Sequence, residues 1–252
     1  MMFTRSLATI PEIGQVTLRQ LLGRRRTILL LLLSAIPVLL AIVFWAAKDA
    51  NVQRFATGVL DAVAVTLLLP IVAVLFGTAA FGAEIEDGTI VYLLAKPISR
   101  WAVLVAKLVG AAGMTAFLTI VSVVISGAIV LAPLGEDGAA ATRAFMAAMA
   151  VGSICYVSLF LVLSLFTRRA LLIGFVYVLV WEGALSSLLP GIANLSIRQY
   201  SLGVGNAFWQ MNSSEAHLSP STALPLAIGL VVVTFLIATW RLTRFELPGG
   251  TD

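Results

Sequence analysis

The sequence predicts an all-α membrane protein, and three of its features support that fold class. Of its 252 residues, 60% are hydrophobic and only 11% are charged, whereas soluble domains average about 25% charged residues. Six segments are each apolar over about 20 residues, the length that a helix needs to cross a hydrocarbon core. None of them alternates polar and apolar residues as the strand of a membrane barrel would, so each is expected to be helical.

The six predicted spans follow one another through one membrane domain, residues 27–244. Five of them contain no charged residue, and the fifth contains Glu182. Asp61 stands just before the second span, where it is expected to cap the helix or to lie in solvent. The predicted spans are 27–47, 62–82, 108–131, 144–167, 170–190 and 220–240.

The basic residues predict the orientation of these spans. Twelve Lys and Arg residues fall on the side of the two termini, and four fall on the other side. The positive-inside rule therefore places both termini in the cytoplasm. This distribution also explains the net charge of +4 as a topology signal, so no nucleic-acid partner is expected.

The first 26 residues predict a helix that lies on the cytoplasmic surface of the membrane. Thr9 to Glu12 fits a capping box with Pro11 in the first turn. Apolar residues then follow one face of the helix, and three consecutive arginines end the segment at the level of the lipid headgroups. At the other end of the chain, residues 245–252 are expected to be a short cytoplasmic tail.

The segment between the second and third spans is the most informative part of the sequence. Three acidic residues, Glu84, Glu86 and Asp87, precede an apolar run that Pro97 ends. A cytoplasmic helix this short would be poorly stable alone. Either a partner protein covers its apolar face, or the segment is half sunk in the membrane interface.

This segment resembles the corresponding loop of the ABC transporter permeases of the second type, a family that includes drug, antibiotic and polysaccharide exporters. The resemblance covers the whole chain, but its most specific part is this motif. The matching residues read Glu84-x-Glu86-x-Gly88-Thr89, then Leu93-Leu94-x-x-Pro97-x-Ser99-Arg100, and then Lys107.

The resemblance implies that this loop is a coupling helix that contacts a cytoplasmic ATPase. It also implies an exporter of a prokaryotic plasma membrane, in which two permease chains, expected to be identical, form the substrate path with two ATPase subunits. ATP and Mg²⁺ would then be bound by the partner, and no cofactor by this chain. The implied contact residues are Glu84, Glu86, Asp87, Gly88, Thr89, Leu93, Leu94, Pro97 and Arg100.

The absence of a P-loop motif from the sequence fits this division of labour, because no Gly-x-x-x-x-Gly-Lys-Ser/Thr occurs in it. An intramembrane enzyme is not expected either. With one histidine and one cysteine, His217 and Cys155, the chain cannot assemble a metal cluster or a nucleophile–base pair at membrane depth. An ATP-independent transporter, or a scaffold or sensor subunit, remains the alternative function.

Two further features leave alternatives open. The outer loop between the fifth and sixth spans, residues 191–219, is too long for a simple connection. It predicts either re-entrant helices, as in similar permeases, or a surface loop anchored by Phe208 and Trp209. Glu182 is costly within a span, by about 2.5–3.5 kcal/mol on insertion scales. It is expected to line the substrate path or a subunit interface, or to bond a neighbouring helix.

Overall fold

The computed structural model describes residues 24–47, 51–86, 99–185, 195–210 and 218–244. All regular structure in these ranges is helical, with no strand among them, which confirms the predicted all-α class. We number the α-helices in chain order and give the two π-helical segments their own labels. The helices are α1 (Arg24–Ala46), α2 (Val52–Phe55), π1 (Ala56–Leu68), α3 (Leu69–Glu86), α4 (Arg100–Val130), α5 (Glu136–Phe166), α6 (Ala170–Val176), π2 (Tyr177–Leu185), α7 (Ile197–Gly205) and α8 (Pro220–Thr243).

Five of the described helical stretches are long and apolar enough to cross a membrane. They are Ile28–Ala46, Val52–Gly82, Arg100–Val130, Glu136–Phe166 and Pro220–Thr243, and they correspond to predicted spans 1, 2, 3, 4 and 6. The fifth predicted span begins as expected at Ala170, but its described part, α6 with π2, is shorter than a full crossing. Its predicted end at residue 190 lies outside the described residues.

Three other predicted segments also lie outside the described residues. These are most of the interfacial helix before α1, the coupling helix after Glu86, and the cytoplasmic tail. Those features therefore stay predictions.

The second span begins ten residues earlier than the hydropathy pattern indicated. Asn51 caps it, because its Oδ1 atom accepts a hydrogen bond of 3.0 Å from the Arg54 backbone N–H. The helix then widens into π1, a 13-residue π-helix, although π-helical segments are mostly single turns. Pro70 follows directly in α3, where its missing N–H and its ring interrupt regular α-helical bonding.

The core of the bundle lies around α5. This helix contacts α3, α4, α7 and α8 along its length. Its contact with α3 is close, because a methyl group at Gly77 would come within 2.9 Å of the Phe160 Cβ atom. By contrast, α1 and α8 expose rows of large apolar side chains, such as Leu32 and Leu236. Such faces suit lipid or another membrane protein rather than water.

Candidate functional site

The flanks of the predicted coupling segment are joined by an ion pair. The Lys107 Nζ atom lies 2.6 and 2.7 Å from the two carboxylate oxygens of Glu84. It also donates to the Ala80 carbonyl oxygen and lies 4.8 Å from the centre of the Phe81 ring. The Lys107 side chain is only 2% exposed, so this ammonium has exchanged water for a carboxylate, a carbonyl and an aromatic face.

Two arginines at the same end of the bundle also donate hydrogen bonds to backbone carbonyls of neighbouring helices. Arg100, in the first turn of α4, donates to the Leu242 carbonyl at the end of α8. Arg241 of α8 donates in turn to the Leu165 carbonyl at the end of α5, at 3.3 Å, and its guanidinium lies 5.4 Å from the centre of the Phe166 ring. We call Arg100, Lys107 and Arg241 the basic belt.

The basic belt connects four helices in series. Lys107 joins α4 to α3, Arg100 joins α4 to α8, and Arg241 joins α8 to α5. Leu242 and Leu165 lie in the last turns of α8 and α5, where the carbonyls have no donor within the helix and carry partial negative charge, so the two arginines are stabilising there. From the sequence, Arg241 counted only as a topology signal, and Arg100 and Lys107 also as residues of the family motif; their carbonyl partners are not visible in the sequence.

Away from the basic belt and inside the bundle, Glu182 of π2 is buried at 3% exposure. It accepts a hydrogen bond from the Ser196 hydroxyl, one from the Ile197 backbone N–H at 2.9 Å, and one from the Tyr177 hydroxyl at 3.3 Å. Ser196 and Ile197 form the start of α7, where unpaired N–H groups favour a carboxylate. The structure thus shows the interhelical bond that was one of the expectations for Glu182.

Asp61 is also buried, and the expectation that it caps the second span or lies in solvent is wrong. It sits within π1 and forms an ion pair with Arg198 of α7, whose Nε atom lies 3.1 Å from its Oδ1. Arg198 Nε also donates to the Thr66 hydroxyl at 2.9 Å, and that hydroxyl donates to the Asp61 carbonyl five residues earlier. The error arose because the pairing partner is 137 residues away and the helix starts ten residues earlier.

The short helix α7 lies between these two carboxylates and deep in the bundle. A methyl group at Gly152 would come within 2.6 Å of the Ser201 Oγ atom, and Gly152 is close to the centre of the 31-residue helix α5. At 1.5 Å per residue, that centre is roughly 23 Å from either end of α5. α7 is therefore buried among the other helices, and Trp209 beyond it bonds Asp137 at the start of α5.

A comparison with protein families identifies the chain. Residues 16–206 match the model of the family described as ABC-2 family transporter protein. This match spans most of the chain. The chain belongs to the ABC-2 transporter family. It is therefore a multi-pass membrane component of an ABC transporter, and permeases of this family generally pair with a cytoplasmic ABC ATPase. No curated protein matches the chain.

The structure locates only some of the ABC-2 contact residues that the motif predicted. Glu84 and Arg100 are both described, and each is bonded within the bundle by the contacts given above. Glu86 is the last residue of α3. The remaining predicted contact residues lie outside the described part of the chain; these are Asp87, Gly88, Thr89, Leu93, Leu94 and Pro97.

The described residues of this ABC-2 permease contain no group of three His, Cys, Asp or Glu side chains that could hold a metal ion. Cys155 is buried in α5, with its Sγ atom 3.8 Å from the Ala227 carbonyl of α8. Cys155 therefore packs in the contact between α5 and α8.

Proposed function

We propose that the chain is the membrane subunit of an ATP-driven exporter, coupled to a separate ATPase through residues 84–100. The observation that carries this proposal is the buried Lys107–Glu84 pair at the base of that segment, in a chain that belongs to the ABC-2 family. ATP and Mg²⁺ bind to the partner, and this chain forms the membrane helices that move in response.

The geometry of the basic belt supports a mechanical role for this end of the bundle. Because Lys107 ties α4 to α3 on both flanks of residues 87–98, a force on that segment moves the two helices together. Arg100 and Arg241 extend the connection to α8 and α5. Helices are stiff, so a displacement at their cytoplasmic ends is carried along their length.

The ends of α5 and α8 support a sixth crossing and a shared orientation of the termini. The Arg241–Leu165 bond places both ends on one side of the bundle. α8 has 24 residues and is long and apolar enough to cross. A crossing α8 begins on the opposite side, which requires a further crossing between residues 166 and 220. α6 with π2 is the apolar segment available for that crossing. The positive-inside rule makes the basic-belt side cytoplasmic, with both termini on it.

The substrate path is proposed to form between two copies of this chain, with the first, second and fifth spans nearest to it. Two ATPase subunits complete the assembly, and the exporter lies in the plasma membrane of a prokaryote. The exposed apolar faces of α1 and of α6 with π2, which include Leu39 and Leu179, are available to a second copy as well as to lipid.

The experiment is co-expression of the intact chain with an ABC ATPase subunit from the same genome, followed by purification through a tag on the permease. We expect the ATPase to be retained, and Glu84→Gln to weaken its retention, because the flanks of the docking segment are no longer clamped. The matched control is Glu136→Gln, which removes an exposed pair with Arg143 at the other end of the bundle.

Two results would count against the proposal. If no ATPase is retained with or without nucleotide, an ATP-independent transporter or a scaffold subunit becomes the better account. If Glu136→Gln weakens retention as much as Glu84→Gln does, then the basic-belt end has no special part in docking.

A further inference from the structure

Four arginines stand at the ends of α5 and α8, on the basic-belt side of the bundle. Arg168 and Arg169 form the turn that follows α5, and Arg244 follows the last residue of α8. Arg241 links the two groups, because its Nε atom donates to the Leu165 carbonyl, three residues before Arg168. We call Arg168, Arg169, Arg241 and Arg244 the arginine cluster.

The charge of three of these arginines is not balanced within the described part of the protein. Arg168, Arg169 and Arg244 are exposed, and none of them forms an ion pair with a carboxylate of the described residues. Glu84, at the same end of the bundle, is already paired with Lys107. Cations grouped in this way repel one another, so an anion from outside the described bundle would stabilise them.

Two aromatic rings hold the arginine cluster at a defined depth. The Arg244 guanidinium lies 4.5 Å from the centre of the Trp240 ring, and that of Arg241 lies 5.4 Å from the centre of the Phe166 ring. Both rings are about half exposed. Tryptophan is enriched at the level of the lipid headgroups, and a ring face attracts a guanidinium. The cations are therefore positioned at headgroup level, whereas a topology signal requires only their number.

An exposed apolar face of α8 lies directly beneath the arginine cluster. Val233, Leu236 and Ile237 are exposed, and with Trp240 and Arg244 they recur at spacings of three and four residues, which places all five on one face. From Val233 to Arg244 the helix rises roughly 17 Å. One leaflet is apolar over roughly 15 Å, half of the hydrocarbon core. The cations and the apolar face are thus spaced like the headgroup and the acyl chains of a phospholipid.

We propose that an anionic phospholipid of the cytoplasmic leaflet binds where α5 and α8 end. Its phosphate contacts Arg168, Arg169 and Arg244, and one acyl chain lies along the exposed face of α8. Basic pockets between membrane helices on the cytoplasmic side bind such headgroups. The inference requires only that the chain spans a membrane, so it does not rest on the proposed transport function, and the family match assigns no lipid site.

The bound lipid would act on the same two helix ends that Arg241 joins. Its headgroup contacts the end of α5 through Arg168 and Arg169, and the end of α8 through Arg244. A headgroup that bridges these ends adds to the basic belt and neutralises positive charge beside it. The permease should therefore depend on the anionic lipid content of its membrane.

The test is native mass spectrometry of the intact chain in detergent, titrated with phosphatidylglycerol and, separately, with phosphatidylcholine of the same acyl chains. We expect one phosphatidylglycerol molecule to bind at least about tenfold more tightly than phosphatidylcholine. The variant Arg168→Gln with Arg169→Gln and Arg244→Gln should lose this preference. Each arginine near a membrane surface contributes about fivefold to the affinity for anionic lipid, equivalent to about 1 kcal/mol.

The matched control is Arg24→Gln with Arg25→Gln and Arg26→Gln. It removes the same number of charges on the same side of the membrane, but at the start of α1, and it should keep the preference. Each triple variant leaves nine of the twelve basic residues on that side against four on the other, so the orientation is preserved. Arg244→Gln alone, expected to lose about fivefold, covers the case in which its triple variant folds poorly.

The lipid site is contradicted if phosphatidylcholine binds as tightly as phosphatidylglycerol, or if the two triple variants lose the preference equally. Displacement of the lipid by inorganic phosphate at the same concentration would show that the surface binds a free anion instead. Loss of ATPase retention with an unchanged lipid preference would assign the surface to the ATPase. The assay uses the permease alone, so its failure is distinct from a failure of the retention experiment, which tests the proposed function.

Discussion

Lys107 is an unusual residue for the third span, because it is a cation with almost no exposed surface. Its burial is tolerated since Glu84, the Ala80 carbonyl and the Phe81 ring surround the ammonium group. Transferring two charges out of water costs several kcal/mol per ion, and the pair recovers that cost only while both partners remain. The ion pair therefore adds little net stability to α3 or α4, but it couples the two helices, because the loss of either partner is costly.

This dependence predicts a non-additive double-mutant cycle. Glu84→Gln should destabilise the detergent-solubilised protein by about 3–5 kcal/mol, because it leaves a buried cation unpaired. Lys107→Met should cost less, since Glu84 is 13% exposed and can recruit water. The double substitution Glu84→Gln with Lys107→Met should recover most of the loss, because no buried charge is then left unpaired.

Thermal unfolding of the four proteins measures this cycle. Arg143→Gln is the control, because the Arg143–Glu136 pair is exposed and its loss should cost no more than about 1 kcal/mol. Additive losses from the two single substitutions would show that Lys107 and Glu84 act independently.

The individual residues differ in how far the sequence revealed them. Glu182 was recognisable as anomalous, because a charge inside a long apolar run is costly wherever it lies. Asp61 was not recognisable as anomalous, since it stands at the edge of an apolar run, where a helix-capping role accounts for an aspartate. Its true partner, Arg198, is in a loop by hydropathy, and a pairing between residues 137 positions apart leaves no local signal.

At the scale of elements, the packing of α7 depends on glycines that leave no room for a side chain. A methyl group added at Gly203 would lie 2.6 Å from the Ala223 Cβ atom and 3.0 Å from the Leu218 carbonyl oxygen. Neither neighbour is a flexible side-chain end that could move away. Overpacking at such a contact typically costs about 1–3 kcal/mol.

Gly203→Ala is therefore expected to destabilise the protein by about that amount, measured as a lower midpoint of thermal unfolding in detergent. Gly229→Ala in α8 is the matched control, because nothing lies within 4 Å of a methyl group there. It should be neutral or slightly stabilising, since alanine has the higher helix propensity. Equal effects of the two substitutions would indicate that α7 is not tightly packed on α8.

The spans were largely predictable from the sequence. A membrane helix requires a long apolar run, and few other structures would contain apolar runs of this length. The early start of the second span was not, since residues 52–61 are less apolar than those that follow. The π-helical segments were also not predictable. In a π-helix each backbone N–H bonds the carbonyl five residues away instead of four. This change alters neither the composition nor the apolar length of a span. Only the polar contacts of Asp61 and Glu182 distinguish these segments from an ordinary span.

At the scale of the whole molecule, the basic-belt end of the bundle and its interior have different chemistry. The end is connected by cations that bond helix carbonyls, whereas in the interior carboxylates hold α7. Under the proposed function, energy supplied at the basic belt would reach α7 through α3, α4, α5 and α8. α5 takes part in both, since Leu165 accepts from the belt and Gly152 faces α7.

The orientation of the bundle follows from this assignment and can be measured directly. In a Cys155→Ser background, Ala132→Cys, in the exposed turn between α4 and α5, should react with an impermeant thiol reagent in intact cells. Thr243→Cys, at the exposed end of α8, should react only after the membrane is permeabilised. The opposite pattern would invert the topology and with it the proposed docking side.

The central claim is that the segment after α3 receives the force of an ATPase, and photo-crosslinking tests it most directly. A photoreactive amino acid is placed at Leu93 of the intact chain, co-expressed with its ABC ATPase, and irradiated in membranes. The account predicts an adduct between the two subunits from position 93 and none from Leu134, in the turn at the other end of the bundle. An adduct from position 134, or its absence from position 93 while the ATPase is retained with the permease, would contradict it.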